Sequence, residues 1–589
     1  MIQGIAAAAG VAIGKAFVLP TWEWDVPDQK LDTVDLTQEF ERLYEGIRTS
    51  KHEIESMKNE FEEIAGPEES SIFDAHIAIL EDPEFMNEIR GLIERQYKAA
   101  EVAVQEATDH FVTMFDLLDD EYMKERAADI KDVGNRLLKH LLGAPEVTLP
   151  TDTQPYILVA KELPPSQLVH LNPQHVLGIV TMMGGKTSHS AIMARALGIP
   201  LVSGLENELE SLIQTGEMVV VDGDQGRVYV EPDAQTVESY QRLRTEQQQR
   251  KRQLALLTSV EPVTADGVKM RLSANISSIK ELDIALNHGA EGVGLFRTEF
   301  MYMDRKSLPE EQEQFEIYRM VAEKSKGQPV VIRTLDIGGD KELDYFELPE
   351  EENPFLGYRA IRICLDHPEM FRTQLRAILR ASAYGKVKIM YPMISSLEEL
   401  RRANEALKQA KQELDQREIH YDSDIEVGIM IEVPAAVAIA DLLAEECDFF
   451  SIGSNDLVQY VLAVDRMNEH IAHMYNPYHP AVLRMLRTTV EAARASGIPV
   501  SICGEMAGDE RSLPFWMHLG VRQLSMSPQS LLRIKQSILH TSSTEAAHQA
   551  AHWMKLKTAA EIEQGMSSYN RALHELIAAD EQLACSPIS

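Results

Sequence analysis

The sequence contains little cysteine and no long apolar run. Its four cysteines, Cys364, Cys447, Cys503 and Cys585, show no paired spacing, which argues against a disulfide framework or a zinc ribbon and favours a reducing compartment. No apolar run is long enough to span a bilayer, and the apolar segment from Ile5 to Ala12 has no basic segment before it. We therefore predict a cytoplasmic protein without an export signal or membrane insertion.

Positive charge is also scarce. The chain has 57 Lys and Arg against 93 Asp and Glu, a net charge of -36, which disfavours binding to nucleic acid or to anionic membranes. A protein partner with a basic face is the better expectation. The length of 589 residues, with 44% hydrophobic and 25% charged residues, predicts a globular protein with three or more structural units.

The first half of the chain predicts an α/β domain interrupted by helices. From Leu36 to Leu142 the sequence is rich in Glu, Ala, Leu and Lys, and its few breakers indicate a helical bundle. Strand-like segments flank this stretch: Gly10–Leu19 before it, and Tyr156–Ala160, Val176–Val180, Pro200–Val202, Met218–Val221 and Arg227–Val230 after it. The segment 233–257 has no glycine or proline and is rich in Gln, Arg and Glu, which predicts a long exposed linker helix.

The second half, from about Val263, alternates strand-like runs with amphipathic helical stretches. This alternation predicts a (β/α)8 TIM barrel. The eight candidate strands are Lys269–Ala274, Gly292–Phe296, Pro329–Arg333, Val387–Tyr391, Val427–Ile431, Phe449–Ile452, Pro499–Cys503 and Gln523–Met526.

A phosphate-binding arrangement is indicated by the motif GGKTSH at residues 184–189. The glycines allow close backbone approach, Thr187 or Ser188 can cap a helix that begins near His189, and unpaired backbone N–H groups at that end favour an anion. Gly198 and Pro200 predict the end of the helix. A purely structural hydrogen-bonding role for His189 is the alternative interpretation of this motif alone.

Six chemically useful residues follow or end candidate barrel strands. Because the carboxyl ends of these strands meet at one rim, where barrel active sites are built, we expect them to lie together. They are Arg297, Arg333, Glu432, Asn455, Asp456 and Cys503. Each has an ordinary structural alternative, such as a salt bridge, a turn or a small buried side chain.

The set has complementary chemistry. Glu432 and Asp456 supply hard oxygen ligands that suit Mg²⁺. Arg297, Arg333 and Arg466 can bind phosphate and carboxylate groups in a bidentate manner. A thiol near its ordinary pKa of about 8.5 is mostly protonated at neutral pH, so Cys503 can donate a proton.

With these motifs in place, nearly the whole chain resembles enzyme I of the bacterial sugar phosphotransferase system, the phosphoenolpyruvate-protein phosphotransferases. The resemblance rests on GGKTSH and on six further motifs in the same order: GLFRTEF at 294–300, RTLDIGGDK at 333–341, GIMIEVP at 428–434, SIGSNDL at 451–457, DR at 465–466 and CGEMAG at 503–508. Two departures lie beside the histidine: Lys186 stands where arginine is usual, and Met182 and Met183 precede the glycines. They affect the expected rate or partner preference, not the expected reaction.

The resemblance implies a role for each candidate. It implies that His189 is the phosphorylated histidine and that Cys503 is the proton donor. It implies that Glu432 and Asp456 bind Mg²⁺. It also implies phosphoenolpyruvate binding by Arg297, Arg333, Asn455, Asp456 and Arg466.

The resemblance further implies the domain organisation and the partners. It implies a phosphohistidine α/β domain (1–32 and 147–231), an inserted helical subdomain that binds the phosphocarrier protein HPr (33–146), a linker helix (232–260) and a phosphoenolpyruvate-binding TIM barrel that also forms a homodimer (261–589). Phosphoenolpyruvate would be consumed, pyruvate released, and the phosphoryl group passed to a histidine of HPr.

Two other functions are considered. A pyruvate phosphate dikinase or phosphoenolpyruvate synthase uses a comparable mobile histidine but needs a nucleotide-binding domain, and no Gly-rich phosphate loop precedes His189. A non-catalytic scaffold with the same fold is disfavoured by the joint presence of His189, the two carboxylates and Cys503.

Overall fold

The structure is a computed structural model. It describes residues 1–19, 26, 36–64, 70, 72–116, 121–144, 150, 154–169, 171–186, 188–205, 213–303, 305, 307–339, 343, 345–346, 348–349, 351–468 and 470–585. The chain divides into two compact units, Met1–Arg250 and Lys251–Ser589. Within the described ranges, no helix combines the length and apolar character needed to cross a membrane.

The first unit contains a mixed sheet of eight strands among its described residues. The strands are β1 (Ile2–Gln3), β2 (Ile5–Ala8), β3 (Val11–Val18), β4 (Tyr156–Ala160), β5 (Val176–Thr181), β6 (Leu201–Ser203), β7 (Met218–Asp222) and β8 (Arg227–Val230). Their order is β1-β8-β7-β3-β4-β5-β6-β2. The run β3-β4-β5-β6 is parallel and the other pairs are antiparallel. All five residues of β4 are buried, as expected for a central strand covered on both faces.

The strands that the sequence predicts in this unit are confirmed to within one or two residues at each end. The sequence did not predict β1 or β2. The alanine-rich segment Ile5–Ala8 has little intrinsic strand propensity and becomes a strand through its antiparallel pairing with β6. Its register with β6 is irregular between Ala6 and Ala8.

The predicted helical bundle is also confirmed. Its described helices are α1 (Leu36–Ile64), α2 (Ile72–Glu81), α3 (Pro83–Gln96), α4 (Ala100–Asp116) and α5 (Glu121–Leu142). The start of α3 follows local chemistry: Asp82 is the N-cap, its carboxylate accepts from the backbone N–H groups of Glu84 and Phe85, and Pro83 occupies the first helical position. Leu43, Ile89 and Leu137 are fully buried in the apolar cluster between the helices.

Among the described residues, three more helices lie in the first unit and at the start of the second. They are α6 (Pro165–Leu168), α7 (His189–Leu197) and α8 (Ala234–Leu256). None of the residues of α8 is buried, as its polar composition predicts. Early in this helix, Tyr240 packs against Tyr229, and its hydroxyl donates to the Asp222 carboxylate at 2.8 Å. This contact holds the beginning of α8 to the sheet.

The second unit is a closed barrel. Its strands are β9 (Arg271–Ile276), β10 (Val293–Phe296), β11 (Val330–Arg333), β12 (Val387–Tyr391), β13 (Val427–Ile431), β14 (Phe449–Ile452), β15 (Val500–Ile502) and β16 (Gln523–Met526). Each strand pairs in parallel with the next in the chain, and β16 closes onto β9. The predicted TIM barrel is therefore confirmed.

The helices of this unit follow the strands. They are α9 (Ile279–Asn287), α10 (Glu311–Lys324), α11 (Ile361–Asp366), α12 (Pro368–Ser382), α13 (Leu397–Gln416), α14 (Pro434–Ala438), α15 (Ala440–Ala444), α16 (Ser454–Leu462), α17 (Pro480–Ser496), α18 (Leu513–Leu519), α19 (Leu531–Leu539), α20 (Ser543–Trp553) and α21 (Ala559–Cys585). A small apolar cluster separate from the main core, Leu295, Met390, Met430, Phe449 and Cys503, fills the inside of the barrel.

Four barrel strands have the predicted bounds, and the largest difference is in β9. The sequence predicts Lys269–Ala274, whereas the strand is Arg271–Ile276. The reason is a local pairing: Lys269 forms an isolated antiparallel bridge with Val263 ahead of the barrel. Such a bridge depends on the fold of the preceding turn and leaves no alternation in the sequence.

Candidate active site at the carboxyl ends of the barrel strands

The helix that carries the candidate histidine begins as the sequence predicts. His189 is the first residue of α7, and Ser188 is the N-cap, with its hydroxyl accepting from the backbone N–H of Ala191 at 3.4 Å. Thr187, the other candidate cap, lies outside the described residues. Gly198 ends the helix with a φ of 67°, a left-handed conformation that glycine adopts at little cost.

The loop before α7 is held by local contacts. Gly184 has a φ of +102°, and a Cβ there would lie 3.1 Å from the Ser188 hydroxyl oxygen, so the position favours glycine. The Arg195 guanidinium, on the last turn of α7, donates to the backbone carbonyls of Lys186 at 2.8 Å and Ala7 at 3.0 Å. These bonds tie the glycine loop to both the helix and β2.

In the barrel, Arg333 ends β11 and lies between two carboxylates. It is 6% exposed, and its guanidinium pairs with Glu299 and, at 2.9 Å, with Asp336. Burial by itself lowers the pKa of Arg333, but Glu299 and Asp336 raise it above its ordinary value. The guanidinium is therefore charged, and its buried Nε–H has no hydrogen-bond partner among the described residues.

Glu432 follows β13 directly and is 2% exposed. Its Oε1 accepts from the backbone N–H of Met393 at 2.7 Å, and a Cβ on Gly453 would lie 2.7 Å from Oε2, so glycine leaves room for this carboxylate. Burial raises the pKa of Glu432 to about 8, and the nearby carboxylates Asp456 and Asp336 add to the shift. This crowding of acidic groups is a place where a bound cation would be stabilised.

Asn455 and Asp456 lie in the first turn of α16. One oxygen of Asp456 is 3.4 Å from the Arg359 guanidinium, and the other is 3.8 Å from that of Arg466. The Asn455 side chain accepts from the backbone N–H of Glu505 at 2.8 Å and donates to the Glu505 carboxylate at 3.1 Å. The amide thereby joins α16 to the segment that follows β15.

Cys503 follows β15 and is 3% exposed, with its thiol 3.5 Å from the carbonyl of Ile452. Burial raises the pKa of this thiol to about 11. The thiol is therefore protonated at neutral pH more fully than an ordinary cysteine. Its environment includes the charges of Glu432, Arg333 and Arg297.

Arg297, one residue after β10, is exposed and lines a cavity of about 740 Å³. Asn455 and Cys503 line the same cavity. Four more candidates are connected to these residues by electrostatic interactions. Arg333 interacts with Cys503 and Glu432, Glu432 interacts with Asp456, and Asp456 is paired with Arg466. The barrel thus brings together all seven of its candidate residues, whereas His189 belongs to the other compact unit.

Three charged residues that contact the candidate residues were not singled out by the sequence analysis. Glu299 and Asp336 lie inside recognised motifs, each three residues after a barrel strand, and the rule that singled out Arg297 could have found them. Arg359 lies 26 residues after β11, just before α11, where no spacing connects it to the strand ends. Only the folded chain brings it to Asp336 and Asp456.

Comparison with known proteins shows the class of enzyme that this chain resembles. The models of three families match: PEP-utilising enzyme, N-terminal, over residues 3–126; PEP-utilising enzyme, mobile domain, over 152–226; and PEP-utilising enzyme, PEP-binding domain, over 251–543. The chain thus has all three parts of a PEP-utilising enzyme, where PEP is phosphoenolpyruvate.

Curated relatives define the family more narrowly. A phosphoenolpyruvate-protein phosphotransferase of Priestia megaterium is 46% identical over 544 residues, covering 92% of this chain and 94% of the relative. One of Bacillus subtilis is 45% identical over 562 residues, covering 95% and 98%. An NMR solution structure of Enzyme I (nEIt) is 35% identical, covering 42% of this chain and 100% of that one, with a TM-score of 0.36. The chain belongs to the phosphoenolpyruvate-protein phosphotransferase family.

Proposed function

We propose that this chain transfers the phosphoryl group of phosphoenolpyruvate to His189 and then to a histidine of HPr, releasing pyruvate. The observation that carries the proposal is the convergence of charged arginines, a carboxylate pair and a protonated thiol at one end of the barrel. Such a set matches the three tasks of the reaction: anion binding, cation binding and protonation of carbon.

The arginines bind and orient the substrate. Arg297 lines the cavity, and Arg333 is near enough that both arginines act on the Cys503 thiol. These two can hold the phosphate, and Arg466 and Asn455 can hold the carboxylate end, because guanidinium and amide donors match these oxygens. The Nε–H of Arg333, which has no partner in the described part of the chain, is a further donor for the substrate. Holding both ends of phosphoenolpyruvate fixes the P–O bond for in-line attack.

His189 and Cys503 complete the reaction. A neutral ring nitrogen of His189 forms a bond to phosphorus while the P–O bond to the enol breaks, and the electron pair stays on the enolate. The Cys503 thiol then gives its proton to the methylene carbon, which yields pyruvate. The phosphoryl group is carried at the start of α7, where unpaired backbone N–H groups and the helix dipole favour an anion.

The residues at the strand ends fit Mg²⁺. No cage of three His, Cys, Asp or Glu ligands is present among the described residues. Glu432 and Asp456, however, are two hard oxygen donors, and burial together with the charge of Asp456 raises the pKa of Glu432. Mg²⁺ prefers one or two carboxylates together with substrate oxygens and water. When bound there, Mg²⁺ would neutralise charge on the transferring group.

The domain roles form the rest of the proposal. Residues 33–146 bind HPr, 1–32 and 147–231 carry the phosphohistidine, 232–260 link the two halves, and 261–589 bind phosphoenolpyruvate and form a homodimer. The protein acts in the cytoplasm. The net charge of -36 supports an acidic docking face for a basic partner.

The deciding experiment is incubation of the full chain with labelled phosphoenolpyruvate and Mg²⁺, with and without HPr and ATP. We expect an acid-labile label on the chain that moves to HPr and does not require ATP. A strict requirement for ATP or AMP with phosphate would favour a dikinase or synthase. Binding of HPr without any label would favour a scaffold.

Cys503→Ser is expected to slow pyruvate formation by a factor of about 10² to 10⁴, the usual contribution of a positioned acid. Exchange of phosphate between His189 and HPr needs no carbon protonation and is expected to stay normal. Quenched time courses of pyruvate release and of HPr phosphorylation measure pyruvate formation and phosphate exchange separately. Cys447→Ser, another buried cysteine, is the control. Unchanged pyruvate release in Cys503→Ser would remove this thiol from the mechanism.

Glu432→Gln and Asp456→Asn are expected to lower phosphoenolpyruvate-dependent labelling by at least about a hundredfold and to weaken its dependence on Mg²⁺, because each removes one anionic ligand. Glu432→Gln keeps an oxygen that can accept from Met393, so the local fold is preserved. Glu426→Gln, an exposed change just before β13, is the matched control. Normal Mg²⁺-dependent turnover in either variant would show that these carboxylates are not the ligands.

A further inference from the structure

The last helix, α21, turns one polar face toward the carboxyl end of the barrel. Glu563, Asn570 and His574 are spaced by seven and four residues, which places them on the same side of a helix. Beside them runs an apolar stripe of buried residues: Ile562, Met566, Leu573 and Ile577. This stripe packs α21 onto the second unit, so its polar face is held against the neighbouring segments.

His574 joins α21 to the segment 503–512, which follows β15. Its Nε2 is 2.8 Å from Oε1 of Glu510, and because a carboxylate only accepts, this nitrogen carries the proton. The other oxygen of Glu510 accepts from the hydroxyl of Ser537, on α19, at 2.9 Å. The Glu510 side chain is 13% exposed, and two helices hold its carboxylate from either side.

The segment 503–512 is also bonded within itself. It contains two short 3₁₀ turns. The Ser512 hydroxyl is within hydrogen-bond distance of the carbonyl of Met506, in the first turn, and of Asp509, at 2.6 Å, just before the second. Because these contacts join the two turns, a displacement at one end of the segment is passed toward Cys503 at the other.

Glu563 connects α21 to a second segment that packs against the first. Its Oε1 accepts from the side-chain amide of Asn476 at 3.1 Å. Tyr478 lies two residues further on, and its hydroxyl donates to the Asp509 carboxylate at 2.6 Å. Both polar contacts of α21 therefore converge on the segment 503–512.

Between these two contacts, α21 reaches the cavity itself. Asn570 lines the same cavity of about 740 Å³ as Cys503 and Asn455. Its Oδ1 is buried and has no hydrogen-bond partner within the described ranges. The helix thus forms part of the wall that surrounds the proposed proton donor.

We propose that α21 positions the segment 503–512 for the protonation step and that His574 is its positioning residue. In that step the S–H bond of Cys503 breaks, a C–H bond forms on the enolate carbon, and the thiolate is later reprotonated from solvent. His574 takes no part in the proton transfer; through Glu510 it holds the segment that carries the thiol. This inference deepens the proposed function and rests on it.

Loss of this contact is expected to affect protonation more than substrate binding. Arg297 and Arg333, the proposed phosphate ligands, belong to β10 and β11, whereas the bonds of α21 go to other segments. A displacement of about 1 Å at a reacting group can cost about a hundredfold in rate. The expected signature is therefore a lower kcat for pyruvate formation with little change in KM for phosphoenolpyruvate.

The test compares the full-length parent with His574→Ala and His574→Gln. We expect kcat for pyruvate formation to fall about tenfold or more in His574→Ala, with phosphate exchange between the chain and HPr unchanged. The solvent deuterium isotope effect on pyruvate formation should rise, because protonation becomes the slow step. In His574→Gln the side-chain amide can still donate to Glu510, so most of the rate should return.

Arg571→Gln is the matched control. It changes an exposed residue of the same helix, between Asn570 and His574, and we expect parent values of kcat, KM and the isotope effect. A merely structural role for His574 would lower the melting temperature of His574→Ala without changing kcat or the isotope effect of the folded protein. A loss in His574→Ala that His574→Gln does not recover would also overturn the role of this contact.

Glu563→Ala covers the case in which His574→Ala does not fold. It removes the bond to Asn476, and we expect a smaller loss of kcat in the same direction. Parent values of kcat in folded His574→Ala, or in Glu563→Ala if His574→Ala does not fold, would contradict the inference, as would an equal loss of phosphate exchange with HPr. Normal pyruvate formation by Cys503→Ser would instead remove the thiol from the proposed function, so the two failures are distinguishable.

Discussion

His189→Ala is expected to remove phosphorylation of the chain and of HPr below detection and to leave binding of phosphoenolpyruvate to the barrel intact. The reason is the separation of roles in the proposed function: the first residue of α7 would carry the phosphoryl group, while the arginines and the thiol lie in the other unit, Lys251–Ser589. Labelling with phosphoenolpyruvate and titration calorimetry measure the two properties on the same preparation.

The control for this variant is His175→Ala, which changes another histidine of the same unit just before β5. We expect this variant to be phosphorylated by phosphoenolpyruvate at the normal rate. A stable acid-labile phosphoryl group on His189→Ala would refute the assignment of the carrier. Loss of substrate binding in His189→Ala would mean that the histidine forms part of the binding site itself.

A fragment of residues 1–250 is expected to fold and to perform half of the chemistry. The structure assigns the mixed sheet, the helical bundle and α7 to the unit Met1–Arg250. The fragment keeps the contacts that attach α8 to the sheet, including Tyr240 with Asp222 and Gln247 with Asp224. Truncation at Arg250 cuts α8, which has no buried residues, so it exposes no apolar core.

The expected activities of the fragment differ by donor. It has His189 and the proposed HPr surface, so it should accept phosphate from phosphorylated HPr and return it. It lacks every residue from Arg297 onward, so it should take none from phosphoenolpyruvate.

The test measures phosphorylation of the fragment by phosphorylated HPr and, separately, by phosphoenolpyruvate. The fragment carrying His189→Ala is the control. Labelling of the fragment by phosphoenolpyruvate alone would place the substrate site in the first unit. A normal circular dichroism spectrum and a cooperative thermal transition would show that a negative result does not come from misfolding.

Most of the barrel was predictable because most of its strands are short, largely buried runs that end at a turn or a polar residue. The run Val427–Ile431 followed by Glu432 is an example, since the apolar stretch and the acidic residue mark both the strand and its carboxyl end. The six candidate residues that follow or end the strands were predictable for the same reason, because barrel active sites are built at the carboxyl ends of the strands. By contrast, Ile5–Ala8 is a strand only because β6 lies beside it.

The electrostatic state of the site was not predictable in the same way. A free cysteine titrates near pH 8.5, whereas burial of Cys503 raises its pKa to about 11. For Glu432, burial and two other carboxylates raise the pKa to about 8. These shifts depend on desolvation and on distances between residues far apart in the chain, so the type of residue alone does not contain them.

The sequence by itself determined the order of the strands and helices other than β1 and β2, the barrel, the histidine at the start of α7 and the family to which the chain belongs. These features depend on local patterns and on motifs in a fixed order. Only the tertiary structure decided that Arg359 lies between Asp336 and Asp456. The same is true of the hydrogen bond that the Asn455 amide donates to the Glu505 carboxylate. Closure of the barrel brings loops from different strands to one rim, and contacts across that rim are set by three-dimensional packing rather than by spacing along the chain.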